Sequence, residues 1–329
     1  MHATGNGSLP GTDMPGALRH VLGSFEHAWL PELPARGVGA DMVGRTTAML
    51  VGLGVDLQPQ GWRLTDASGV DHGRARGLLR RDLDDLEEAA QGFTGTITLT
   101  AAGPWTLAAL LERPRGDKVL ADHGARRELA ESLALGLSDL LAEVGRRLPQ
   151  ARFAAQLDEP LLPAVLAGAV RTASGFSRLR AVDVPAASGL LQQFTGALHG
   201  QVGHVALHCC APGLDPELLL LGGVDELGLD PDTLDPARWD GLAHWLEAGR
   251  ELRLGLVPTA VPDAVLPTDR IVERALRLLR PLGLEPALLV ERLVVAPACG
   301  LAGWRTAAVA RQHEHLLQAA ELLPEQLQR

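Results

Sequence analysis

Short apolar runs with strand propensity alternate along the chain with longer segments whose apolar residues recur at helical spacing. The short runs end in Gly, Pro or Asp, which is typical of strands that lead into loops. Eight of them predict strands, at roughly Ala3–Leu9, Gly54–Gln58, Thr96–Ala101, Arg152–Asp158, Gly203–Cys209, Val224–Asp230, Arg253–Val257 and Arg292–Ala296. The clearest helical segments are Arg74–Ala90, Arg126–Arg147, Arg238–Glu251 and Asp269–Leu282.

Strands that alternate with helices predict right-handed βαβ units and a parallel sheet. Eight such units within 329 residues favour an α/β fold, a single (β/α)8 TIM barrel, over the alternative of a doubly wound open sheet. No internal repeat or long linker divides the chain, so we expect residues 1–329 to form one domain. In such a barrel the loops that follow the strands carry the chemistry, and unusual polar residues in those loops are therefore the candidates.

Composition and charge exclude several classes of partner. The chain has 30 basic and 40 acidic residues, a formal net charge of −10, and no basic run. This argues against nucleic acid and against an anionic membrane surface. No apolar stretch approaches the length of a membrane span, and the first residues do not resemble a secretory signal. With only three cysteines, we expect a cytoplasmic protein whose thiols stay reduced and are available to a metal or to catalysis.

The segment from His204 to Cys210 runs off the end of the fifth predicted strand. Because side chains alternate along a strand, His208 and Cys210 should point the same way and Cys209 the other way. Cys299 follows the eighth predicted strand, which faces the fifth across the barrel mouth. One histidine and two cysteines that converge there would be a zinc-type ligand set with room for a further ligand. The alternative is a core histidine beside small buried thiols.

An oxygen ligand could come from the sixth predicted strand. Asp230 lies at the end of that strand and Glu226 lies earlier in it. Asp230 is better placed, because strand ends open into the mouth. Its alternative role is to cap the turn or helix that begins at Pro231.

Other mouth residues could hold a substrate. Asp158 ends the fourth predicted strand, where a carboxylate can bind an ammonium group or can simply shape a turn. The glycines of Gly5–Pro10 would allow a ligand to approach the backbone. Trp105 follows the third strand and could stack on a flat cofactor, although a buried aromatic is the commoner case. The His313-Glu314-His315 run is interpreted as solvent-exposed.

These short motifs, each after its own strand, together resemble the catalytic barrel of cobalamin-independent methionine synthase over nearly the whole chain. That barrel is related to uroporphyrinogen decarboxylase and to methylcobalamin-dependent thiol methyltransferases. The motifs are Gly7-Ser8-Leu9-Pro10, Asp41-Met42-Val43, Gly103-Pro104-Trp105-Thr106, Leu157-Asp158-Glu159-Pro160, His208-x-Cys210 and Pro297-Ala298-Cys299-Gly300.

The resemblance implies a zinc-dependent enzyme that methylates the thiol of L-homocysteine to give L-methionine. Homocysteine would bind through its amino group to Asp158 and would touch the backbone of Ser8, and Trp105 would face the methyl donor. The donor would be 5-methyltetrahydrofolate or a methylcobalamin carrier, so a corrinoid protein is an open partner. The zinc ligands implied by the resemblance are His208, Cys210, Cys299 and Asp230, the last where the family has a glutamate.

The chain departs from the family pattern in three respects. It has length for one barrel, whereas the family enzyme normally has two. No histidine follows the seventh predicted strand, where the family carries one that can protonate the leaving group. Arg36 aligns with a second acid that holds the substrate amino group, and Glu32 fits that place only with a shift. The first two departures suggest the hypothesis that the acceptor site is kept and the donor differs. A decarboxylase-like barrel and a non-catalytic zinc- or thiol-binding barrel remain the alternatives.

Overall fold

The computed structural model describes residues 1–329, and it contains ten strands and twelve α-helices. The strands are β1 (His2–Ala3), β2 (His27–Trp29), β3 (Gly54–Gln58), β4 (Gly61–Thr65), β5 (Thr96–Ala102), β6 (Arg152–Asp158), β7 (Val205–Cys209), β8 (Glu226–Leu229), β9 (Glu251–Val257) and β10 (Leu293–Pro297). The helices are α1 (Met14–Ser24), α2 (Met42–Thr47), α3 (Val70–Ala89), α4 (Pro104–Leu110), α5 (His123–Arg147), α6 (Leu162–Leu166), α7 (Val184–His199), α8 (Pro216–Leu220), α9 (Trp239–Glu247), α10 (Thr268–Leu279), α11 (Pro286–Arg292) and α12 (Thr306–Gln328).

Eight parallel strands form a nearly closed barrel in the order β1-β10-β9-β8-β7-β6-β5-β2. The two outer strands of this order meet just beyond their ends, where Ser8 and Glu32 form a parallel bridge. There the Leu9 amide donates to the Glu32 carbonyl at 2.9 Å, and the Glu32 amide donates to the Gly7 carbonyl at 3.2 Å. The predicted (β/α)8 barrel is therefore confirmed.

The apolar core lies mainly between the strands and the surrounding helices, where Trp29, Trp105 and Trp245 are fully buried. One connected hydrophobic cluster includes residues of all eight barrel strands, so the core is continuous around the barrel. Each large side chain removed from water contributes roughly 1.5–3 kcal/mol. Part of the barrel interior is instead polar, because Gln156 and Arg253 are buried there in mutual contact.

The second barrel strand is not the one that the sequence pattern predicts. Gly54–Gln58 forms an antiparallel hairpin with β4 outside the barrel, in register from Gly54 opposite Thr65 to Gln58 opposite Gly61. The barrel strand is β2, whose three residues are too few to show a period-2 pattern. The first strand is also short, because the chain leaves the sheet toward Gly7, which has a left-handed φ of 81°.

The interpretation of His313 as solvent-exposed is wrong. Its side chain is buried in the packing between α12 and the barrel, and its Nδ1 lies 2.9 Å from Nε2 of His20 on α1. The ring also packs edge-on against Phe25 and Trp29. None of the helices combines the length and the apolar character that crossing a bilayer requires.

Candidate metal centre and substrate site

Three sulfur and nitrogen donors converge at the C-terminal end of the barrel. His208 is the fourth residue of β7, Cys210 follows that strand directly, and Cys299 lies in the loop after β10. The Sγ atoms of the two cysteines are 3.3 Å apart, and a ring nitrogen of His208 completes a group whose atoms all lie within 4.8 Å of one another. The structure thus brings together three of the four residues that the sequence suggests as metal ligands.

The two cysteines are free, and their Sγ atoms lie within hydrogen-bond distance of each other. The hydrogen bond between them lowers the pKa of Cys210 and, together with burial, raises the pKa of Cys299. Cys210 is therefore the sulfur that ionises first. Cys209 lies on the other face of the strand, as alternation predicts, and burial raises the pKa of its thiol to about 12.

Both ring nitrogens of His208 have partners. Nδ1 lies 3.1 Å from Oδ1 of Asp158, and Nε2 lies 3.1 Å from the carbonyl oxygen of Ala298, the residue before Cys299. Burial lowers the pKa of His208, but the hydrogen bond and the negative charge of Asp158 outweigh it, so the net shift is upward. A carboxylate that holds Nδ1 fixes the ring and leaves Nε2 directed to the cysteine side, as in many metal-binding histidines.

Asp158 ends β6 and is paired in the sheet with His208, so both side chains enter the same mouth. Its Oδ1 also accepts a 2.9 Å hydrogen bond from Nε2 of Gln156. Gln156 in turn contacts the guanidinium of Arg253, which forms a 2.5 Å ion pair with Glu226. A connected polar chain therefore runs from the mouth through the barrel interior.

The two candidate oxygen ligands lie in different places. Asp230 follows β8 and accepts the backbone N–H of Asp232 at 3.0 Å, which is the turn-capping role that the sequence also allows. Its carboxylate does not belong to the group of three donors within 4.8 Å. Burial raises its pKa, whereas the charge of His208 acts in the opposite direction. Glu226 begins β8 at the opposite end of the barrel, which excludes it as a ligand at this mouth.

Ser8 packs against the loop that carries Cys299. The Ser8 carbonyl accepts the amide of Leu301 at 2.8 Å. A Cβ atom on Gly300 would lie only 2.0 Å from Ser8 Oγ, so the close approach of these two segments requires glycine at that position. The contact fixes Cys299 relative to the loop after β1.

The structure does not bring Trp105 to the mouth. Its indole is 2% exposed, its Nε1 donates to the Ala187 carbonyl at 3.2 Å, and the guanidinium of Arg126 lies over the ring. The backbone explains this orientation, because the Glu159 carboxylate accepts the amides of Trp105 and Thr106 and so fixes the first turn of α4. The indole therefore packs as the core alternative describes. Its stacking on a donor stays a prediction.

Glu32 lies at the same mouth, although the sequence pattern fits it to the place of a second acid only with a shift. It follows β2, is buried, and accepts a 3.2 Å hydrogen bond from Thr100 Oγ1. Its pKa is raised to about 7, because burial, helped by the charge of Asp158, outweighs the opposing charge of Arg45. Arg36, which aligns with the family acid, instead forms a bidentate ion pair with a buried aspartate of α3. Glu32 would have been found from sequence if β2 had been recognised, because Glu32 stands at the end of that strand.

Comparison with known proteins gives the family. A family model described as the catalytic domain of cobalamin-independent synthase matches residues 108–322. The solved structure of a B12-independent methionine synthase from Shewanella sp. W3-18-1, in complex with selenomethionine, superposes with a TM-score of 0.60 at 12% identity and covers 99% of this chain and 98% of that chain. An endo-1,4-beta-mannanase from Rhizomucor miehei has a TM-score of 0.47 at 11% identity, covering 97% and 95%.

At these identities the solved structures show the fold alone. No curated protein matches the sequence. The family model covers well over half of the chain and includes His208, Cys210 and Cys299. The chain therefore belongs to the family of cobalamin-independent synthase catalytic domains.

Proposed function

We propose that the protein is a zinc-dependent methyltransferase that converts L-homocysteine to L-methionine, with residues 1–329 acting as one catalytic barrel. The observation that carries the proposal is the convergence of His208, Cys210 and Cys299 within 4.8 Å at the C-terminal mouth. In a member of this family, that set beside the carboxylates of Asp158 and Glu32 supports a thiol substrate that also carries an amino group.

The donor set fits zinc. Two Zn–S bonds of about 2.3 Å in tetrahedral geometry separate the sulfurs by about 3.8 Å, so the 3.3 Å contact needs to open by only about 0.5 Å. His208 would supply the nitrogen from Nε2, because Asp158 holds Nδ1. We propose Asp230 as the oxygen ligand, which requires its turn to move toward the centre. When bound, zinc lowers the pKa of a thiol and so makes it a nucleophile near neutral pH.

The chain's own residues would position the amino acid. Asp158 and Glu32 are both buried at the mouth, and the charge of Asp158 disfavours ionisation of Glu32. An ammonium group between them relieves that repulsion and favours the ionised form of Glu32. The substrate thiol would then lie toward Cys210 and Cys299.

The donor side of the mouth differs from the acceptor side. The residues after β9 are Pro258, Thr259 and Ala260, without a histidine, and Trp105 is held in the core. A folate amine leaves poorly unless it is protonated, whereas cob(I)alamin leaves without a proton. We therefore propose a methylcobalamin carrier ahead of 5-methyltetrahydrofolate as donor. An assay with each donor separates the two, because turnover with the folate and none with methylcobalamin would exclude this choice.

The first experiment compares zinc content and methyl transfer in four forms of the full chain. Wild type should hold about one zinc at the mouth, and Cys210→Ser and Cys299→Ser should each lose it together with turnover. Cys209→Ser is the matched control, because its sulfur lies on the other strand face. Retention of zinc in both mouth variants would refute the shared site. Zinc without turnover on any donor would support a non-catalytic barrel, and absence of zinc would favour a decarboxylase-like one.

We also propose that the protein works in the cytoplasm. Cys210 and Cys299 are free and close to each other, so an oxidising compartment would convert them to a disulfide. A disulfide would remove both thiolates from the proposed zinc site. A reducing compartment is therefore needed for the proposed chemistry.

A further inference from the structure

A second group of metal-ligating side chains lies at the opposite, N-terminal end of the barrel. A cavity of about 610 Å³ opens there among the first residues of the strands. Three histidines line it, His2, His27 and His204, together with Glu226 and Glu251. None of these residues belongs to the site at the C-terminal mouth.

Three neighbouring strands each place one ligand at this end. His204 immediately precedes β7, Glu226 is the first residue of β8, and Glu251 is the first residue of β9. Glu226 and Glu251 are partners in the parallel sheet. Nε2 of His204 lies 3.3 Å from Oε2 of Glu226, and one oxygen of Glu251 lies within 4.8 Å of both atoms. One nitrogen and two oxygens therefore face a common point from adjacent strands.

The charges around this point leave room for a cation. Glu226 is 3% exposed, and its other oxygen is paired with Arg253 at 2.5 Å. Glu251 has no salt bridge and its side chain makes no hydrogen bond, although it is only partly exposed. The cavity lining thus holds two arginines, Arg152 and Arg253, and three carboxylates, those of Glu226, Glu251 and Glu291, so with neutral histidines its net charge is negative. The rings of His2 and His27 stack at 3.6 Å on the wall of the same cavity and offer further nitrogen donors.

We propose that His204, Glu226 and Glu251 bind a divalent transition-metal ion, such as Zn²⁺ or Co²⁺, at the N-terminal end of the barrel. Imidazole nitrogen favours these ions over Mg²⁺ and Ca²⁺, which prefer oxygen ligands alone. The ion would join the first residues of β7, β8 and β9 and would stabilise the folded state, because it binds the native chain. This site goes beyond the proposed methyl transfer and does not depend on it.

The test uses the full chain with both mouth thiols removed, Cys210→Ser with Cys299→Ser. Co²⁺ is titrated into this double variant and followed by calorimetry and by visible absorption. We expect one equivalent to bind, with d–d bands and without the thiolate charge-transfer band. Adding His204→Gln or Glu251→Gln should weaken binding at least about tenfold, since loss of even an outer-shell partner costs that much. His244→Gln is the control, because His244 lies on the exposed surface of α9 and pairs there only with Glu217 of α8.

A second readout is thermal stability. Co²⁺ should raise the Tm of the double variant and of the His244 control, and should raise it less for the variant that also carries His204→Gln. Glu251→Gln is expected to fold even if His204→Gln does not, because the Glu251 side chain is partly exposed and unpaired. No saturable binding to the double variant, or binding that neither His204→Gln nor Glu251→Gln weakens, would overturn the proposal. Because the thiols of Cys210 and Cys299 are absent from every sample, failure of the proposed zinc site at the mouth leaves this result unaffected.

Discussion

Asp158 contacts His208 and is also proposed to accept the ammonium group of the substrate. Replacement of Asp158 by asparagine separates these two roles. Oδ1 of Asp158 accepts hydrogen bonds from Gln156 and from Nδ1 of His208. Asparagine is nearly isosteric and can present its amide oxygen to both donors, so we expect the variant to fold. What it loses is the negative charge, and its amide N–H₂ replaces the oxygen that would accept a substrate ammonium.

The magnitudes follow from these contacts. A hydrogen bond to a charged group contributes about 1.5–3 kcal/mol, which corresponds to a fall of about 10- to 150-fold in kcat/KM for homocysteine. Outer-shell partners of metal-binding histidines typically contribute about 10- to 100-fold in metal affinity, so Asp158→Asn should also weaken zinc binding by that factor. Glu32→Gln is the matched comparison. It removes the other mouth carboxylate, which contacts Thr100 and not His208, and should lower kcat/KM while zinc affinity stays unchanged.

The assay measures zinc affinity by competition with a chelator and kcat/KM at saturating donor, both for wild type and the two variants. We expect zinc affinity to fall in Asp158→Asn and not in Glu32→Gln, and kcat/KM to fall in both variants. Equal zinc affinity in the two variants would show that Asp158 does not tune His208. Unchanged kcat/KM in both would remove the amino-group site from the proposal.

Three further predictions concern the loops and the core. Gly300→Ala should lower activity about 100-fold, because its Cβ would lie 2.0 Å from Ser8 Oγ and displace the loop that carries Cys299, whereas Gly303→Ala, with no contact nearer than 3.9 Å, should match wild type. Arg36→Leu leaves buried Asp82 unpaired and should lower the free energy of unfolding in urea by about 3–5 kcal/mol without changing the KM for homocysteine. Burial, with a neighbouring histidine, lowers the pKa of His313 to about 3, so the folded state keeps it neutral while the unfolded state gains a proton below its usual pKa near 6.5. His313 should therefore contribute about 2 kcal/mol to the loss of stability from pH 7.5 to pH 5 in urea titrations, and His313→Leu should reduce that loss by the same amount.

Strand length explains which parts of the fold could be predicted. Strands such as β5, β6 and β9, with seven residues each, show the apolar runs of buried parallel strands and were found with small errors at their ends. β2 has three residues and gives no such signal. The hairpin strand β3 gives a stronger signal, so the pattern predicts β3 as the second barrel strand in place of β2. Sequence pattern cannot distinguish a strand of the barrel from a strand of an outer hairpin, because that choice depends on long-range pairing.

The same cause determines which site residues could be found. Asp158, His208 and Cys299 lie at the ends of strands that the pattern reveals, so their convergence followed from barrel geometry alone. Glu32 was undervalued because its strand was missed. The burial of Trp105 and His313 could not be predicted for another reason. The packing of helices against the barrel decides whether such a side chain faces solvent, the mouth or the core. No local pattern encodes that packing.

The polar interior of the barrel decides which substitutions can test function at all. Barrel interiors are usually filled by branched apolar residues, whereas this one contains Arg253 and Glu226 as a buried ion pair. Removal of one partner of such a pair costs about 3–5 kcal/mol, because the other charge stays buried without compensation. A Glu226 variant would therefore lose a proposed ligand and stability together, so its loss of binding would not test the site. Glu251 at the N-terminal end and Cys210 at the mouth escape this difficulty, because each lies at a rim and neither neutralises an interior charge.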